Sequence, residues 1–319
     1  MRIIIHAGLH KTGTKAFQAA MTDACDALLS DGIFYPPSKN GHRLLLNCRL
    51  PGWRKSLSSA REQALLADSH TLLLSSESVA TLSADHMAQL IRELASDEVT
   101  LLFCLRHWHS YWPSRWSQYS RRRDSQTFNA YVGSLLVHPD MDYAGILERA
   151  RAARPAQVLS VNYEQAQATG GVVPALLKVA GISTLVPSST QHARTPWQMT
   201  EACRLLNGIL ADHRRWPQDE MCRAAGEHRS PDRLFDLFAR WSQLQIATAS
   251  ALDSAVERDR VEIEISKLSP ELQAANDALG PLGFSETPVC RLMTTALTWQ
   301  AFAAKHSALA SEALSQLLA

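Results

Sequence analysis

The chain has 319 residues, 46% of them hydrophobic and 20% charged. That is an ordinary globular composition, long enough for one large domain with an appendage. Lysine plus arginine (32) nearly balance aspartate plus glutamate (31), for a net charge of +1. No strong global field toward nucleic acid or a membrane surface is therefore expected.

The opening Met1-Arg2-Ile3-Ile4-Ile5 turns polar at His6. The apolar run is too short for a secretory h-region or a membrane span, and it suits a buried strand, Arg2–His6. Thr14–Leu29 reads as a helix, with Phe17, Met21, Ala24 and Leu28 at helical spacing and Asp31-Gly32 as its stop. Pro36-Pro37 and Asn40-Gly41 mark irregular chain. Thr71–Ser75 is a second strand. Ser83–Leu94 follows as a helix, with Ser83 as its cap and His86 in the position a capping box gives to Glu. Val99–Leu105 is a third strand, Asp142–Ala153 a helix, Gln157–Val161 a fourth strand and Gly170–Ala180 another helix. This alternation predicts an α/β fold, a parallel sheet flanked by helices. Runs such as Leu72-Leu73-Leu74 do not alternate in polarity, as expected of strands buried on both faces.

After about residue 190 the strand signal fades. Met199–His213, Pro231–Arg258 and Val289–Leu318 read as helices, the last carrying Leu292, Ala296, Trp299, Phe302, Leu309 and Leu317 on one face. Two regions are expected, an α/β core over 1–188 and a mostly helical region over 189–319, with the junction at Pro187-Ser188-Ser189. No repeat or low-complexity segment is present. The six cysteines (25, 48, 104, 203, 222 and 290) form no CxxC pair and no zinc spacing. They read as reduced, small core residues in a cytoplasmic protein, and no metal site is expected.

The chemistry concentrates in the turn after the first strand. Gly8-Leu9-His10-Lys11-Thr12-Gly13-Thr14 has the GxxxxG frame of a phosphate loop, set where a helix start gathers unpaired N–H groups around an anion. A Walker A loop needs Lys directly after the second glycine and then a magnesium-binding hydroxyl. Here those positions hold Thr14 and Lys15, and a lysine, Lys11, lies inside the loop instead. A transferred phosphoryl group carries two negative charges and is usually handled with magnesium. A sulfuryl group carries one, and a loop lysine can stabilise its leaving oxygen alone.

Lys11-Thr12-Gly13-Thr14 after a strand resembles the 5′-phosphosulfate loop of sulfotransferases that use 3′-phosphoadenosine 5′-phosphosulfate. The longer string from His6 to Thr14 looks especially like bacterial members of that family. The resemblance covers about residues 1–185 and implies a P-loop NTPase-like sulfotransferase fold. It implies that Thr12, Gly13 and Thr14 grip the 5′-phosphate, with His10 and Lys15 as further loop contacts. An Arg at a strand end and a Ser eight residues on hold the 3′-phosphate in that family; Arg106 and Ser114 fit that spacing, with Ser110 as a fallback. Two departures stand out. Many members carry a second hydroxyl residue at Lys15. Many also have a short Asp/Asn-Pro turn where this chain has His107-Trp108-His109-Ser110-Tyr111-Trp112-Pro113, with Pro113 suited to the first turn of a helix.

Transfer to a hydroxyl needs a proton acceptor, usually His or Glu. His42 follows Asn40-Gly41, and Glu77 follows Leu72-Leu73-Leu74-Ser75-Ser76 at a strand's C-terminal end, where ligands of open α/β sheets collect. Either can be the base, His42 leading and Glu77 its partner or rival. Arg121-Arg122-Arg123 reads as a solvated face, and Arg194 as a candidate to close over the nucleotide. Trp108, Trp112 and Trp116 share a face if helical and read as core packing. Tyr163-Glu164 resembles an aromatic–Glu pair of bacterial relatives and is a fold marker. The expected activity is sulfuryl transfer, without metal, to a carbohydrate or small-metabolite acceptor, with no nucleic acid partner. A P-loop kinase-like phosphotransferase or a non-catalytic nucleotide-binding or assembly protein is the alternative. No motif identifies the acceptor.

Overall fold

A computed structural model describes residues 1–38, 41–122, 124–134, 142–184, 186, 196–212, 242–252, 259–264, 284, 289–294 and 298–318. In chain order the elements are β1 (Arg2–Ala7), α1 (Thr14–Asp23), α2 (Cys25–Ser30), β2 (Ile33–Phe34), α3 (Arg43–Leu46), α4 (Trp53–Leu66), β3 (Thr71–Ser76), α5 (Ala84–Leu94) and β4 (Val99–Leu105). There follow α6 (Trp108–Ser120), α7 (Phe128–Ser134), α8 (Tyr143–Ala152), β5 (Gln157–Asn162), α9 (Tyr163–Ala168), α10 (Val172–Val179) and α11 (Trp197–Asp212). A helix over 242–252 (α12) comes next. The last elements are β6 (Asp259–Glu264), β7 (Val289–Thr294), α13 (Trp299–Lys305) and α14 (Ser307–Leu318).

The chain divides into two compact units. The first comprises 1–108, 138–192 and 269–286, and the second 109–137, 193–268 and 287–319. No single cut separates them: the chain passes between units near residue 192, and also at 108, 137, 268 and 286. The candidate junction Pro187-Ser188-Ser189 lies outside the described residues.

The first unit is built on an all-parallel five-stranded sheet ordered β2-β3-β1-β4-β5, the α/β architecture expected from the alternation. The β3 and β4 side chains are all buried, and β1 is buried from Ile3 onward. Hydrophobic burial on both faces explains their uninterrupted apolar runs. The edges are modest. β2 has two residues, and β5 keeps Gln157 and Ser160 exposed, which blunts the sheet against edge pairing. Phe17 and Met21 of α1 join Leu176 and Leu177 of α10 in the core over Ile4, Leu73 and Leu102.

Several local readings change. The single helix expected over Thr14–Leu29 is two, α1 and α2, which meet at Ala24 with φ −102° and ψ 14°. Gly32 is left-handed (φ 71°), as its place after the helix requires. Ser83 caps α5 by accepting from His86 N–H, and its hydroxyl lies 2.7 Å from His86 Nδ1, so the His contacts the cap's hydroxyl and not its backbone N–H as a capping-box Glu would. The helix α6 starts at Trp108, so Pro113 is interior to it and not in its first turn. Proline supplies no N–H to the ladder there.

In the second unit, Ala202 and Leu205 of α11, Leu252 of α12 and Phe302 of α13 form a core cluster. α11 is also tied by polar contacts: Asn207 donates to the Ser120 carbonyl at 2.6 Å, and Arg204, which pairs with Glu201 within the helix at 2.6 Å, donates to the Ser125 carbonyl at 3.4 Å. The helix expected over Val289–Leu318 is corrected. Val289–Thr294 is strand β7, antiparallel to β6, and only from Trp299 onward is the segment helical. The β6 sequence Asp-Arg-Val-Glu-Ile-Glu alternates at a strand's period, and pairing with it overrides the helical spacing of Leu292. The region past 190 is thus not purely helical. No helix among the described residues is long and apolar enough to cross a membrane.

Candidate functional site

The predicted loop residues leave the C-terminal end of β1, the central strand, and enter α1. β1 connects toward β2 on one side, and its neighbour β4 connects toward β5 on the other. Their carboxyl ends flank the point where connections diverge, the position at which open α/β sheets bind ligands.

The loop holds its shape by local bonds and by glycine. Thr12 Oγ1 donates to the Leu9 carbonyl at 2.7 Å, and Thr14 Oγ1 donates to the same oxygen at 3.2 Å. Both threonines are buried. A side chain at Gly8 would collide with Thr14 Oγ1, so the chain can close on itself there only with glycine. Gly13, the N-cap of α1, is left-handed at φ 85°, a backbone conformation that favours glycine. Lys11 is left-handed at φ 63° without being glycine, an unusual conformation of the kind that clusters at ligand sites. Gly13 offers no side-chain cap, so the first-turn N–H groups of α1 are not satisfied by it. Together with the helix dipole they favour an anion. Lys11 is half-buried and Lys15 is exposed on the first turn of α1.

Arg106, the residue after β4, reaches this loop. Its Nη1 donates to the Lys11 carbonyl at 2.6 Å, and its guanidinium stacks over the Tyr163 ring at 4.4 Å. Two further contacts fix the segment. Tyr143 Oη donates to the Arg106 carbonyl at 2.9 Å, and His107 N–H donates to Glu164 Oε2 at 3.1 Å. Tyr163-Glu164, expected only to mark the fold, thus opens α9 and supports the arginine directly. Its signal was its place at the end of β5, beside the end of β4 in register (Leu105 opposite Asn162). Ser114 is half-buried on α6 and belongs to the second unit, as does Ser110.

His42 is fully buried, and both of its ring nitrogens are used by backbone. Ser75 N–H donates to Nδ1 at 2.9 Å, so Nε2 carries the proton and donates to the Pro36 carbonyl at 2.8 Å. His42 N–H also donates to the Ser75 carbonyl at 2.8 Å. The residue pins its segment to the end of β3, and burial pushes its pKa down. The expectation that His42 is the leading base is corrected on this ground. Its single lone pair is already taken by a backbone donor.

Glu77 follows β3 and is half-buried; its Oε2 lies 3.0 Å from His10 Nδ1. Beneath them is a group that sequence reasoning missed. His6 is wholly buried at the end of β1, with Nδ1 2.9 Å from Ser75 Oγ, and Gln18 Nε2 donates to that hydroxyl at 3.2 Å. Desolvation lowers the His6 pKa to about 4, and the Glu77 charge opposes part of that shift. His6 was legible only as a strand residue, although a His ending an apolar strand beside a glycine-containing turn is a polar signal in a buried place.

The remaining candidates are less central. Trp108, Trp112 and Trp116 are all buried; Trp108 stacks on Tyr143 and Trp116 donates to the Gln126 carbonyl, as core residues do. Arg121 and Arg122 are exposed, and Arg123 and Arg194 lie outside the described residues. Cys104 and Cys203 are buried, but Cys25 is exposed, so the cysteines are not uniformly core. The structure therefore gathers His10, Lys11, Thr12, Gly13, Thr14, Glu77 and Arg106 around one strand end. No protein-family model matches the chain, and no curated protein matches it.

Proposed function

We propose that the chain is a sulfotransferase, moving a sulfuryl group from 3′-phosphoadenosine 5′-phosphosulfate to a hydroxyl or amine of a carbohydrate or small-metabolite acceptor. The observation that carries this reading is the Arg106–Lys11 bond. It sets a guanidinium against a phosphate loop that has its own internal lysine and no Walker lysine. A held guanidinium and a loop lysine at one sheet crevice suit a donor with two anionic groups. Arg offers a planar fork to a phosphate dianion, and Lys a point charge. The strand order and the loop after the central β1 support a phosphate-loop nucleotide fold.

In this reading the α1 N-terminus with Thr12, Gly13 and Thr14 binds the 5′-phosphate, and Arg106 binds the 3′-phosphate. An acceptor oxygen forms a bond to sulfur as the sulfur–oxygen bond to the 5′-phosphate breaks. The bond's electron pair stays on the phosphate oxygen, where the Lys11 ammonium stabilises it. The acceptor's proton leaves on the β3 side, where Glu77 stands. Lys15, exposed on α1, adds positive charge at the rim.

Calorimetry with 3′-phosphoadenosine 5′-phosphate and with magnesium ATP tests the reading. The bisphosphate is expected to bind the more tightly, and Arg106→Ala to weaken it about 10- to 100-fold, the loss of a charge-assisted hydrogen bond. Preference for magnesium ATP, or indifference to Arg106, would sink it.

A further inference from the structure

We infer that His10 is the proton acceptor for the incoming nucleophile and that Glu77 is its positioning residue; this rests on the sulfotransferase reading. The two side chains come from different strand ends, His10 from the loop after β1 and Glu77 from the turn after β3, and meet at 3.0 Å through Nδ1 and Oε2. A carboxylate only accepts, so the contact places a proton on Nδ1, and in the neutral ring the lone pair is on Nε2. That is the arrangement a base requires: one nitrogen held by an orienting carboxylate, the other open to take a proton. Both side chains keep about a third of their surface, 35% for His10 and 33% for Glu77, so the pair is held yet reachable.

The comparison with His42 sharpens the assignment. His42 is wholly buried with both nitrogens on backbone groups, whereas His10 has one nitrogen on a carboxylate and lies next to Lys11 in sequence. Proton removal at His10 and leaving-group stabilisation at Lys11 would then sit on adjacent loop residues. The buried His6 beneath, coupled electrostatically to Glu77, keeps a neutral ring next to that carboxylate. The step balances. The acceptor O–H proton passes to His10 Nε2, the acceptor oxygen bonds sulfur, and the electron pair of the broken bond goes to the 5′-phosphate oxygen. The imidazolium so formed is stabilised by Glu77.

Water can serve as the acceptor, so the test needs no identified substrate. Hydrolysis of 3′-phosphoadenosine 5′-phosphosulfate is measured for the wild type, His10→Asn and Glu77→Gln. Calorimetry with 3′-phosphoadenosine 5′-phosphate is run on each, and the His10 tautomer is read by nitrogen-15 NMR. The expected results are a fall of about 100-fold for His10→Asn, a typical loss of general-base catalysis, with bisphosphate affinity within about 2-fold. Glu77→Gln should lose about 10-fold or more and shift the His10 tautomer away from Nδ1–H. A fall in affinity matching the fall in rate would make His10 a phosphate ligand and overturn the proposal. So would an unchanged rate in His10→Asn, a wild-type tautomer with the proton on Nε2, or wild-type hydrolysis no faster than buffer. Failure of the wild type to bind the bisphosphate would instead overturn the donor reading itself.

Discussion

Single residues at this site are placed where few substitutes fit. Gly8 has no room for a side chain beside Thr14, and Lys11 holds a left-handed backbone that most residues avoid. His6 shows the energetic side of the same density. Its pKa falls from an ordinary 6.5 to about 4 because burial penalises the charged ring. The unfolded chain therefore binds the proton more readily than the folded one. His6 costs nothing above pH 6.5, and its stability is lost as pH falls from about 6.5 to about 4, by roughly 3 kcal/mol in all. His42 is shifted in the same direction. Urea unfolding at a series of pH values should show a shallower acid loss for His6→Gln than for the wild type over that window. Equal slopes would refute the assignment.

Among the elements, β4, α9 and the Gly8–Thr14 loop act as one assembly. Arg106 is braced by the Tyr163 ring below and tied to the Lys11 carbonyl, while Glu164 accepts from His107 N–H. A cation–ring contact of this partly desolvated kind contributes about 1–2 kcal/mol. Tyr163→Leu should accordingly weaken bisphosphate binding about 5- to 30-fold, and Tyr163→Phe should leave it nearly unchanged, because the ring face and not the hydroxyl supports the guanidinium. Calorimetry on the pair checks this, and equal losses in both would disprove the stacking role. The sequence made β1, β3 and β4 legible because strands buried on both faces read as unbroken apolar runs. It concealed β2, whose two residues carry no period, and α4, whose Ser- and Arg-rich face dilutes the apolar spacing of Trp53, Leu57, Ala60 and Ala64. Val289–Thr294 misled because its strand pairing depends on residues some thirty positions earlier, which no local pattern reports. The glycine turn after β1 and the Arg after β4 were readable as positions, and the structure brings them into contact. The employment of His42 was not, since only the fold reveals that Ser75 and Pro36 occupy both nitrogens.

At the scale of the whole molecule, the loop, Glu77, Arg106 and their supports all belong to the first unit, while Ser114 belongs to the second. Bisphosphate at about 100 times its dissociation constant should stabilise the folded state that binds it by about 2.7 kcal/mol. Hydrogen exchange resolved by peptide should then show slower exchange across 8–18 and 104–107. Slowing confined to 197–212 and 289–318 would place the nucleotide site elsewhere.

The bond from Arg106 to the Lys11 carbonyl has a consequence for recognition. It joins the turn to the residue that follows β4, so the turn is held in the folded chain before any ligand arrives. The entropy of ordering that turn falls within folding, and little of it is left to subtract from ligand affinity. Small anions much shorter than a nucleotide should therefore find the same seat. Chain length in the ligand would set how tightly it is held, and not whether the seat exists.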